Sequence, residues 1–401
     1  MKEEWVKKKL GECFSYIKNG ANIKQDRSAT GLPITRIETL ANGLFNRDRL
    51  GYANIFSSEK YSQYILDSGD LLFSHINSKQ YIGRTVLYVK QEQEEIIHGM
   101  NLLRLKVIPD ILSPHFIYYY FKSPFIKEQI ASHRKDAVNQ SSISISDLKR
   151  ITLYVPPLPE QQQIVSELDC LQGIIDKKKE QLQELDKLAQ SIFYTMFGDP
   201  VENEKGWDIQ TLKTSTTKIG SGATPKGGND NYKENGISLI RSLNVHNNSF
   251  KMKELAFIDE EQANGLKNVI IERNDVLLNI TGASVARCCV VPSNILPARV
   301  NQHVSILRAQ KNILNHIFLC YQLTSVPFQT VLIAMSKANG ATREALTKTQ
   351  VGNIKIILPP LPLQQEFADK INAIEQQKAR IQQSLQDTET LFQSRMDYYF
   401  D

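Results

Sequence analysis

The feature that most constrains this chain of 401 residues is an internal duplication. The string ITLYVPPLPEQQ (151–162) returns as IKIILPPLPLQQ (354–365), so that Pro156 and Pro359 are equivalent at an offset of 203 residues. Other strings repeat at nearly the same offset: Trp5 and Trp207, GLPITR (31–36) and GISLIR (236–241), and SGDLLF (68–73) and RNDVLL (273–278). A period of about half the chain indicates that a whole structural unit is duplicated, and not only a short motif.

A long helical pattern follows each PPLP string, with the prolines at or before its first turn. Apolar residues recur at alternating steps of four and three for about five heptads, which is typical of a coiled coil. In the first copy the series is Ile164, Leu168, Leu171, Ile175, Leu182, Leu185, Ala189, Ile192 and Met196, interrupted by Lys178. In the second copy it is Phe367, Ile371, Ile374, Ile381, Leu385, Thr388, Phe392 and Tyr399, interrupted by Lys378 and Arg395.

These two helices could pair with each other, or each could bind a partner protein. An antiparallel pair about a pseudo-twofold axis predicts three sets of neighbours and makes the two lysines symmetry mates: Ile164 with Tyr399, Lys178 with Leu385, and Leu185 with Lys378. A buried polar position can fix the alignment of a coiled coil at some cost in stability. The alternative is that both lysines extend outward into solvent.

The segments 1–155 and 199–358 contain short β-like runs separated by Gly, Asn, Asp and Ser turns. The predicted fold is therefore α+β: two mixed α/β domains in tandem, each followed by a long helix (156–198 and 359–401), with the helices paired as an antiparallel coiled coil. Segment 1–155 has 22 basic and 16 acidic residues, segment 199–358 has 18 and 13, and each helix segment has four and seven. This partition suits domains that contact phosphate and helices that contact protein, although such an excess is also within ordinary variation.

No motif in the sequence predicts catalysis or a cofactor site. The glycine-rich GSGATPKGG (220–228) lacks the ending of a phosphate-binding loop, the seven histidines form no HxxxH or HExxH pair, and the five cysteines form no CxxC pair. We therefore expect no catalytic residue, no bound metal and reduced thiols. The absence of an uninterrupted apolar stretch of 18 residues and of a signal-peptide pattern predicts a cytoplasmic chain with no membrane contact.

Polar segments of the two globular regions are candidates for DNA contact, since Arg and Lys bind phosphate or guanine, and Asn and Gln can pair with adenine. For any single residue, a solvated loop is the simpler interpretation. The first region contributes Arg36, Arg47 and Arg49 (segment 36–49), Lys79, Gln80 and Arg84 (78–84), and His133, Arg134 and Lys135 (133–142). The second contributes Lys226 (224–233), Arg241, Asn244 and His246 (241–248), Arg287 (281–287), and Lys337 and Arg343 (336–343).

Two globular regions, each closed by a PPLPxQQ turn and a long heptad helix, resemble the specificity subunits of Type I restriction-modification enzymes over essentially the whole chain. The second copy departs in having Leu363 where the first has Glu160. The resemblance implies that 1–155 and 199–358 are target-recognition domains, each reading one half of a split double-stranded DNA sequence without catalysis. The helices would set the spacer, since about 35 residues span roughly 50 Å, or about one and a half turns of B-DNA.

The resemblance also implies the partners. Two copies of the methyltransferase (modification) subunit would dock on the coiled coil and methylate adenine, and restriction and translocation subunits would complete the complex. S-adenosylmethionine, ATP and Mg would be bound by those partners, and no cofactor by this chain.

Three alternatives remain open. The chain could serve a methylation-only system, which the neighbouring subunits would reveal. A self-sufficient methyltransferase or nuclease would need its own cofactor or metal site. A coiled-coil scaffold without a DNA role would explain the helices but not the basic, loop-rich repeats. We also expect that removing the residues after Pro362 abolishes partner assembly and leaves each globular unit folded.

Overall fold

The structure is a computed structural model that describes residues 4–25, 30–138, 140–224, 231–337 and 344–401. The chain forms two compact units. Unit 1 contains Met1–Lys178 together with Ser384–Asp401, and unit 2 contains Lys179–Gln383. The boundaries between the units therefore fall inside the two long helical segments, and not at the ends of the globular segments 1–155 and 199–358.

Unit 1 is built from short strands and helices. Its strands are β1 (Val6–Lys9), β2 (Phe14–Asn19), β3 (Pro33–Ile34), β4 (Gly51–Tyr52), β5 (Leu71–Phe73), β6 (Ile76–Asn77), β7 (Thr85–Leu87), β8 (Leu103–Val107), β9 (Lys135–Asp136), β10 (Ser141–Ser142) and β11 (Thr152–Val155). Its helices are α1 (Leu10–Cys13), α2 (Pro114–Tyr120), α3 (Pro124–His133), α4 (Ile145–Arg150) and the first half of α5 (Leu158–Phe197). Short 3-10 turns lie at Ile37–Gly43, Arg47–Arg49, Glu59–Tyr64 and Lys79–Tyr81.

A four-stranded antiparallel sheet in the order β2-β8-β5-β7 forms the frame of unit 1. Strand β5 is entirely apolar because both of its faces are covered. Leu71 and Phe73 belong to the main core with residues of α2 and α3, whereas Leu72 packs on the other face with Val86. A β1-β11 ladder and the small sheets β3-β4 and β6-β10-β9 complete the unit.

Unit 2 repeats this composition. Its strands are β12 (Ile209–Thr211), β13 (Thr216–Ser221), β14 (Ile237–Ile240), β15 (Val245–His246), β16 (Ser249–Phe250), β17 (Ala256–Ile258), β18 (Val276–Asn279), β19 (Cys288–Val290), β20 (Ala298–Val300), β21 (Val304–Ala309) and β22 (Lys355–Ile357). Its helices are the second half of α5, α6 (Leu212–Ser215), α7 (Glu260–Asn264), α8 (His316–Thr324), α9 (Val326–Lys337), α10 (Lys348–Gly352) and the first half of α11 (Leu361–Phe400). Short 3-10 turns lie at Ser242–Asn244, Lys267–Val269, Gly282–Ser284 and Ser293–Ile295.

The sheets of unit 2 reproduce the frame of unit 1 and differ around it. The order β13-β21-β18-β19 corresponds to β2-β8-β5-β7, and the β12-β22 ladder corresponds to β1-β11. The small sheets correspond in pairing but differ in extent. The Pro33–Tyr52 pair of β3-β4 matches the Ser238–Phe257 pair of β14-β17. The parallel Ile34–Ile97 bridge matches the Leu239–Arg299 pair, which in unit 2 belongs to a three-stranded sheet β17-β14-β20. The duplication therefore preserves the frame and the pairings around it, while the exposed side chains at its edges differ.

Helices α5 and α11 pair in opposite directions in both units. In unit 1, the Tyr399 hydroxyl donates to Glu167 at 2.6 Å, and Lys178 Nζ donates to the Ser384 carbonyl at 2.9 Å. In unit 2, Lys378 Nζ lies 2.7 Å from an Asp186 carboxylate oxygen. These contacts confirm the predicted fold class and the predicted antiparallel alignment.

The two lysines of the helix pair are not symmetry mates, and that prediction is wrong. They are 200 residues apart, whereas the repeat offset is 203. Lys178 binds a carbonyl and the hydroxyls of Ser384 and Thr388, whereas Lys378 binds the carboxylates of Asp186 and Glu375. Each lysine therefore has partners on the facing helix, but of different chemistry.

Each core is completed by a helix end that is distant in sequence. Met396, Tyr399 and Phe400 of α11 are buried in the main core of unit 1. Phe193 and Phe197 of α5 are buried in that of unit 2. Truncation after Pro362 would remove α11 residues from both cores: Met396, Tyr399 and Phe400 from unit 1, and Phe367, Ile371 and Ile374 from unit 2. From the structure we therefore expect both units to lose stability, and not to stay folded as the sequence alone suggested.

The first glutamine of each PPLPxQQ motif is a structural residue. Gln161 and Gln364 are fully buried. The side-chain amide of each donates to two backbone carbonyls, and its oxygen accepts one backbone N–H at the start of α2 or α8. The partners, at 2.7–3.0 Å, are Pro156, Ile111 and Ser113 for Gln161, and Pro359, Ile313 and Asn315 for Gln364.

Candidate nucleic-acid interface

In unit 1, the sheet β6-β10-β9 joins two of the predicted polar segments. The Asp136 carboxylate of β9 accepts from Arg134 Nε at 2.6 Å and from the Ser141 hydroxyl at 2.7 Å, and lies 3.4 Å from Lys79 Nζ. The hydrogen bond from Arg134, followed by that from Ser141, lowers the pKa of Asp136. Lys79 and Arg134, which are distant in sequence, therefore meet at one carboxylate.

Arg84 connects these residues to a third predicted segment. Its Nη1 donates to the Leu40 carbonyl at 3.1 Å, and its guanidinium carbon lies 4.5 Å from the centroid of the Tyr81 ring. Arg47 binds both oxygens of Glu94 at 2.9 and 2.6 Å, and this ion pair lowers the pKa of Glu94 to about 2. The guanidinium of Arg47 is thus occupied within the unit.

The other predicted residues of unit 1 differ in exposure. Arg49, Gln80 and Lys135 are exposed. Arg36 is half-buried, with Nε 3.4 Å from Glu38. His133 is half-buried, with Nδ1 2.9 Å from a backbone carbonyl. Arg49, Gln80 and Lys135 are therefore accessible to a ligand.

In unit 2, the fully buried Asn279 ties two predicted segments together. Its Nδ2 donates to the Ser242 carbonyl at 2.9 Å and to the Ser284 hydroxyl at 3.2 Å. Residues 241–248 and 281–287 are therefore adjacent, although the sequence analysis identified them separately.

Asn244 corrects the prediction of DNA contact. It is fully buried, its Nδ2 donates to the Lys251 carbonyl at 2.9 Å, and its Oδ1 accepts the Arg241 N–H at 3.1 Å. With the amide turned inward, Asn244 shapes its loop and does not present hydrogen-bonding groups to a ligand. The guanidinium of Arg241 lies 5.4 Å from the Tyr232 ring centroid and donates to the Glu254 carbonyl.

The remaining predicted residues of unit 2 lie near these segments. His246 and Arg287 are half-buried. The side chain of Lys337 is 60% exposed, with Nζ 3.6 Å from Glu344. Lys226 and Arg343 lie outside the described residues.

A polar chain of hydrogen-bonded side chains on the turn between β20 and β21 was not predicted from the sequence. The Thr224 hydroxyl donates to Gln302 Oε1 at 2.5 Å, Gln302 Nε2 lies 3.2 Å from His303 Nε2, and His303 Nδ1 lies 2.5 Å from the Thr281 hydroxyl. This chain connects two predicted segments through residues that neither segment contains. A signal that could have pointed to this turn is the match between Gly20 and Gly222 in the repeat, because each glycine lies against the backbone at the start of the turn.

The thirteen residues predicted for the coiled-coil interface are all buried or half-buried. They are Ile164, Leu168, Leu171, Ile175, Leu182, Leu185, Ile192, Phe367, Ile371, Ile374, Ile381, Leu385 and Phe392. Each of them therefore turns its side chain away from solvent.

Some structural features are absent from the described part of the chain. Within it, no group of three or more His, Cys, Asp or Glu residues is placed to hold a metal ion. No single described helix has the length and apolarity to cross a membrane. The pair α8 and α9, bent by 72°, meets those criteria only together, and both helices contribute to the core of unit 2.

Comparisons with known proteins match both repeats. Residues 2–187 and 204–388 each match the family of Type I restriction modification DNA specificity domains. A putative type I restriction enzyme MjaX specificity subunit of Methanocaldococcus jannaschii is 29% identical over 397 residues, covering 93% of this chain and 87% of that protein. The type I restriction enzyme EcoKI specificity subunit of Escherichia coli is 29% identical over 199 residues, covering 48% of this chain and 42% of that protein.

The fold also matches a solved structure. The S subunit of a Type-I restriction-modification system from M. genitalium superposes with a TM-score of 0.59 at 15% identity, covering 99% of this chain and 96% of the other. At this identity the likeness concerns the fold alone. Since the family match covers both repeats, this chain belongs to the family of Type I restriction modification DNA specificity domains.

Proposed function

We propose that this chain is the DNA-recognition subunit of a Type I restriction-modification complex and that units 1 and 2 each bind one half of a bipartite double-stranded DNA target. The observation that carries this proposal is the duplication itself. One frame occurs twice, and the polar segments around it differ in sequence between the copies. Two different reading surfaces on equivalent frames are what an asymmetric, split target requires.

The charge distribution supports separate roles for the globular segments and the helix segments. The globular segments have net charges of +6 and +5, from 22 basic and 16 acidic residues in the first and 18 and 13 in the second. Each helix segment, with four basic and seven acidic residues, is at −3. Basic domains gain affinity from phosphate neutralisation, and side chains in the grooves supply sequence preference.

The remaining roles belong to partner subunits in this proposal. Two copies of a modification subunit bind at the helices and methylate adenine with S-adenosylmethionine, and restriction subunits use ATP and Mg. The chain itself catalyses nothing, and its helix length sets the number of unspecified base pairs between the half-sites. In a methylation-only system the same chain would direct methylation without cleavage.

Long-read mapping of adenine methylation tests the proposal. A host that expresses this chain with its neighbouring modification subunit is compared with a host that expresses the modification subunit alone. We expect a split motif that is methylated only when the chain is present. Unchanged methylation, with the modification subunit shown to be active, would refute a directing role and favour the scaffold interpretation. Cleavage of unmethylated plasmid that carries the motif separates restriction from methylation alone.

A further inference from the structure

An exposed turn is anchored in the same way in both units. It leads into β8 in unit 1 and into β21 in unit 2. A Cβ added to Gly20 would lie 2.1 Å from the His98 carbonyl oxygen, and one added to Gly222 would lie 1.9 Å from that of Val300. No side chain fits such distances, so a glycine is required at both places to let the turn reach the sheet.

A second hydrogen bond holds the corresponding backbone N–H in each unit, although its acceptor differs. The Gly99 N–H donates to the Thr35 hydroxyl at 2.9 Å, and the Asn301 N–H donates to the Ile240 carbonyl at 3.0 Å. Gly20 and Gly222 are 202 residues apart, and so are Gly99 and Asn301, so residue 100 corresponds to residue 302. The backbone position is thus shared, but Met100 occupies it in unit 1 and Gln302 in unit 2.

The side chain of Gln302 is exposed but held by two contacts. Its Oε1 accepts the Thr224 hydroxyl at 2.5 Å. Its Nε2 can only donate, so His303 Nε2, at 3.2 Å, must be the acceptor. His303 in its neutral form then carries its proton on Nδ1 and donates to the Thr281 hydroxyl at 2.5 Å. The neighbours therefore fix which end of the amide is nitrogen.

These contacts do not exhaust the hydrogen bonds that the Gln302 amide can make. A primary amide has two N–H donors and two oxygen lone pairs, and each contact uses one. Among the residues that the structure describes, no group uses the second N–H or the second lone pair, so both remain for a ligand. Adenine presents one acceptor and one donor in the major groove, and glutamine can pair with both.

The surroundings of Gln302 are the polar segments of unit 2. Thr281 forms a β-bridge with Ala345, and the Gly282 N–H donates to the Glu344 carbonyl at 2.9 Å. These contacts place Glu344, which forms an ion pair with Lys337, beside the start of segment 281–287. Thr281, the last residue of the polar chain, lies at that start. Gln302 thus belongs to a surface on which several predicted DNA-contact segments converge.

We propose that Gln302 is a specificity-determining residue of unit 2 that reads an adenine in the major groove of the second half-site, and that Thr224 and His303 position its amide. This inference rests on the proposed function of the chain. It assigns a role to a turn that sequence patterns did not identify. The equivalent turn of unit 1, with Met100, reads its own half-site differently.

Two substitutions of Gln302 test the reading role in the complex with the modification subunit. Gln302→Leu removes both hydrogen-bonding groups, so we expect preference for adenine at one position of the second half-site to fall by about 5- to 150-fold. Gln302→Glu leaves only acceptors, which suit the amino group of cytosine, so the preferred base should change from adenine to cytosine. Methylation mapping and binding to duplexes that differ at that base pair measure both effects.

Thr224→Val tests positioning. It should weaken adenine preference less than Gln302→Leu does, and it should have no further effect in the Gln302→Leu background, because the amide to be oriented is already absent. A purely structural role for Thr224 would instead give additive losses and an equal weakening of binding to all sequences.

Asn312→Leu is the matched control, since Asn312 is an exposed amide beyond the other end of β21. The first half-site should remain unchanged in every variant. If the wild-type chain directs methylation of a split motif but both Gln302 variants retain the second half-site intact, this inference is overturned and the proposed function stands. If the wild-type chain directs no motif, both fail.

Discussion

Units 1 and 2 share a frame but differ at its edges. Both have the same four-stranded sheet order and a two-stranded ladder joining the start and the end of the globular segment. Both also have an ion pair between an arginine of one central strand and the aspartate that precedes the other: Arg104 with Asp70 at 2.6 Å, and Arg308 with Asp275 at 2.8 Å. Three of these side chains are buried, and that of Arg308 is half-buried. The small sheets around the frame also pair in equivalent ways, but their strands differ in length and their exposed side chains differ.

This contrast shows which residues the fold requires and which remain available for function. The frame consists of buried residues whose partners recur in both copies, so substitutions there should act on stability. The edges carry exposed polar residues with different partners in each copy, so substitutions there should act on recognition. Substitutions at equivalent positions of units 1 and 2 therefore test whether the two frames are equivalent.

The largest expected effect comes from removing residues 393–401. This truncation removes Met396, Tyr399 and Phe400 from the core of unit 1 and nothing from unit 2. Deleting single buried Met or Phe side chains costs about 2–5 kcal/mol each, so unit 1 should lose at least about 5 kcal/mol and unfold at lower denaturant concentration. Each unit contains one of the two tryptophans, and single-tryptophan variants that retain Trp5 or Trp207 report unit 1 or unit 2.

Phe197→Ala provides the mirror-image control, because Phe197 corresponds to Phe400 at the offset of 203. It should destabilise unit 2 by about 3–5 kcal/mol and leave the Trp5 transition in place. Equal losses in both transitions after the truncation would contradict the assignment of the last helical turns to unit 1 alone.

An intermediate effect is expected from the buried glutamines. Gln161→Leu leaves one backbone N–H and two carbonyls without their partner in unit 1, and Gln364→Leu does the same in unit 2. At about 1–3 kcal/mol for each orphaned group, with some recovered by hydration, each substitution should cost about 3–5 kcal/mol in its own unit. Denaturant unfolding followed through Trp5 or Trp207 measures this.

The neighbouring Gln162 is exposed, and Gln162→Leu should change stability by less than about 0.5 kcal/mol. A loss as large as that of Gln161→Leu would mean that the PPLPxQQ motif stabilises the unit through its local turn and not through the buried amide.

The repeat and its helices were predictable because their signals are local. The heptad pattern identifies α5 and α11, and an antiparallel alignment that brings both apolar series together predicts the neighbours that the structure shows. The pattern shows that a helix face is buried, but not what buries it. The sequence therefore gave no indication that Phe400 completes unit 1 or that Phe197 completes unit 2.

The departure at Leu363 has a physical reason that emerges only in three dimensions. In unit 1, Trp5 Nε1 donates to Glu160 at 3.1 Å. In unit 2, Trp207 Nε1 donates instead to the Phe197 carbonyl at 2.9 Å, so no carboxylate is needed at residue 363. The same indole bond is thus satisfied by a side chain in one copy and by the backbone in the other.

The candidate site was predictable only as a set of segments. Composition identified basic and amide-rich loops, but it could not show that Asn244 faces inward or that Gln302 faces outward. Which loop residue is exposed depends on contacts between distant segments, such as those of Gly222 and Asn279. These contacts follow from the fold and not from residue type.

The smallest expected effect concerns a contact in which glycine and lysine have exchanged places between the units. In unit 1, Gly11 of α1 faces Lys149 of α4, and a Cβ on Gly11 would lie 3.0 Å from the Lys149 Cβ. In unit 2, Lys213 of α6 faces Gly352 of α10.

Gly11→Lys should therefore destabilise unit 1 by about 1–3 kcal/mol through overpacking. Lys149→Gly alone should cost about 1 kcal/mol through helix propensity. The double variant recreates the unit 2 arrangement, so it should recover most of the loss, and denaturant unfolding followed through Trp5 should show a favourable coupling between the two substitutions. Additive losses would mean that the exchange is incidental, and that the two frames are equivalent in sheet order but not in side-chain packing.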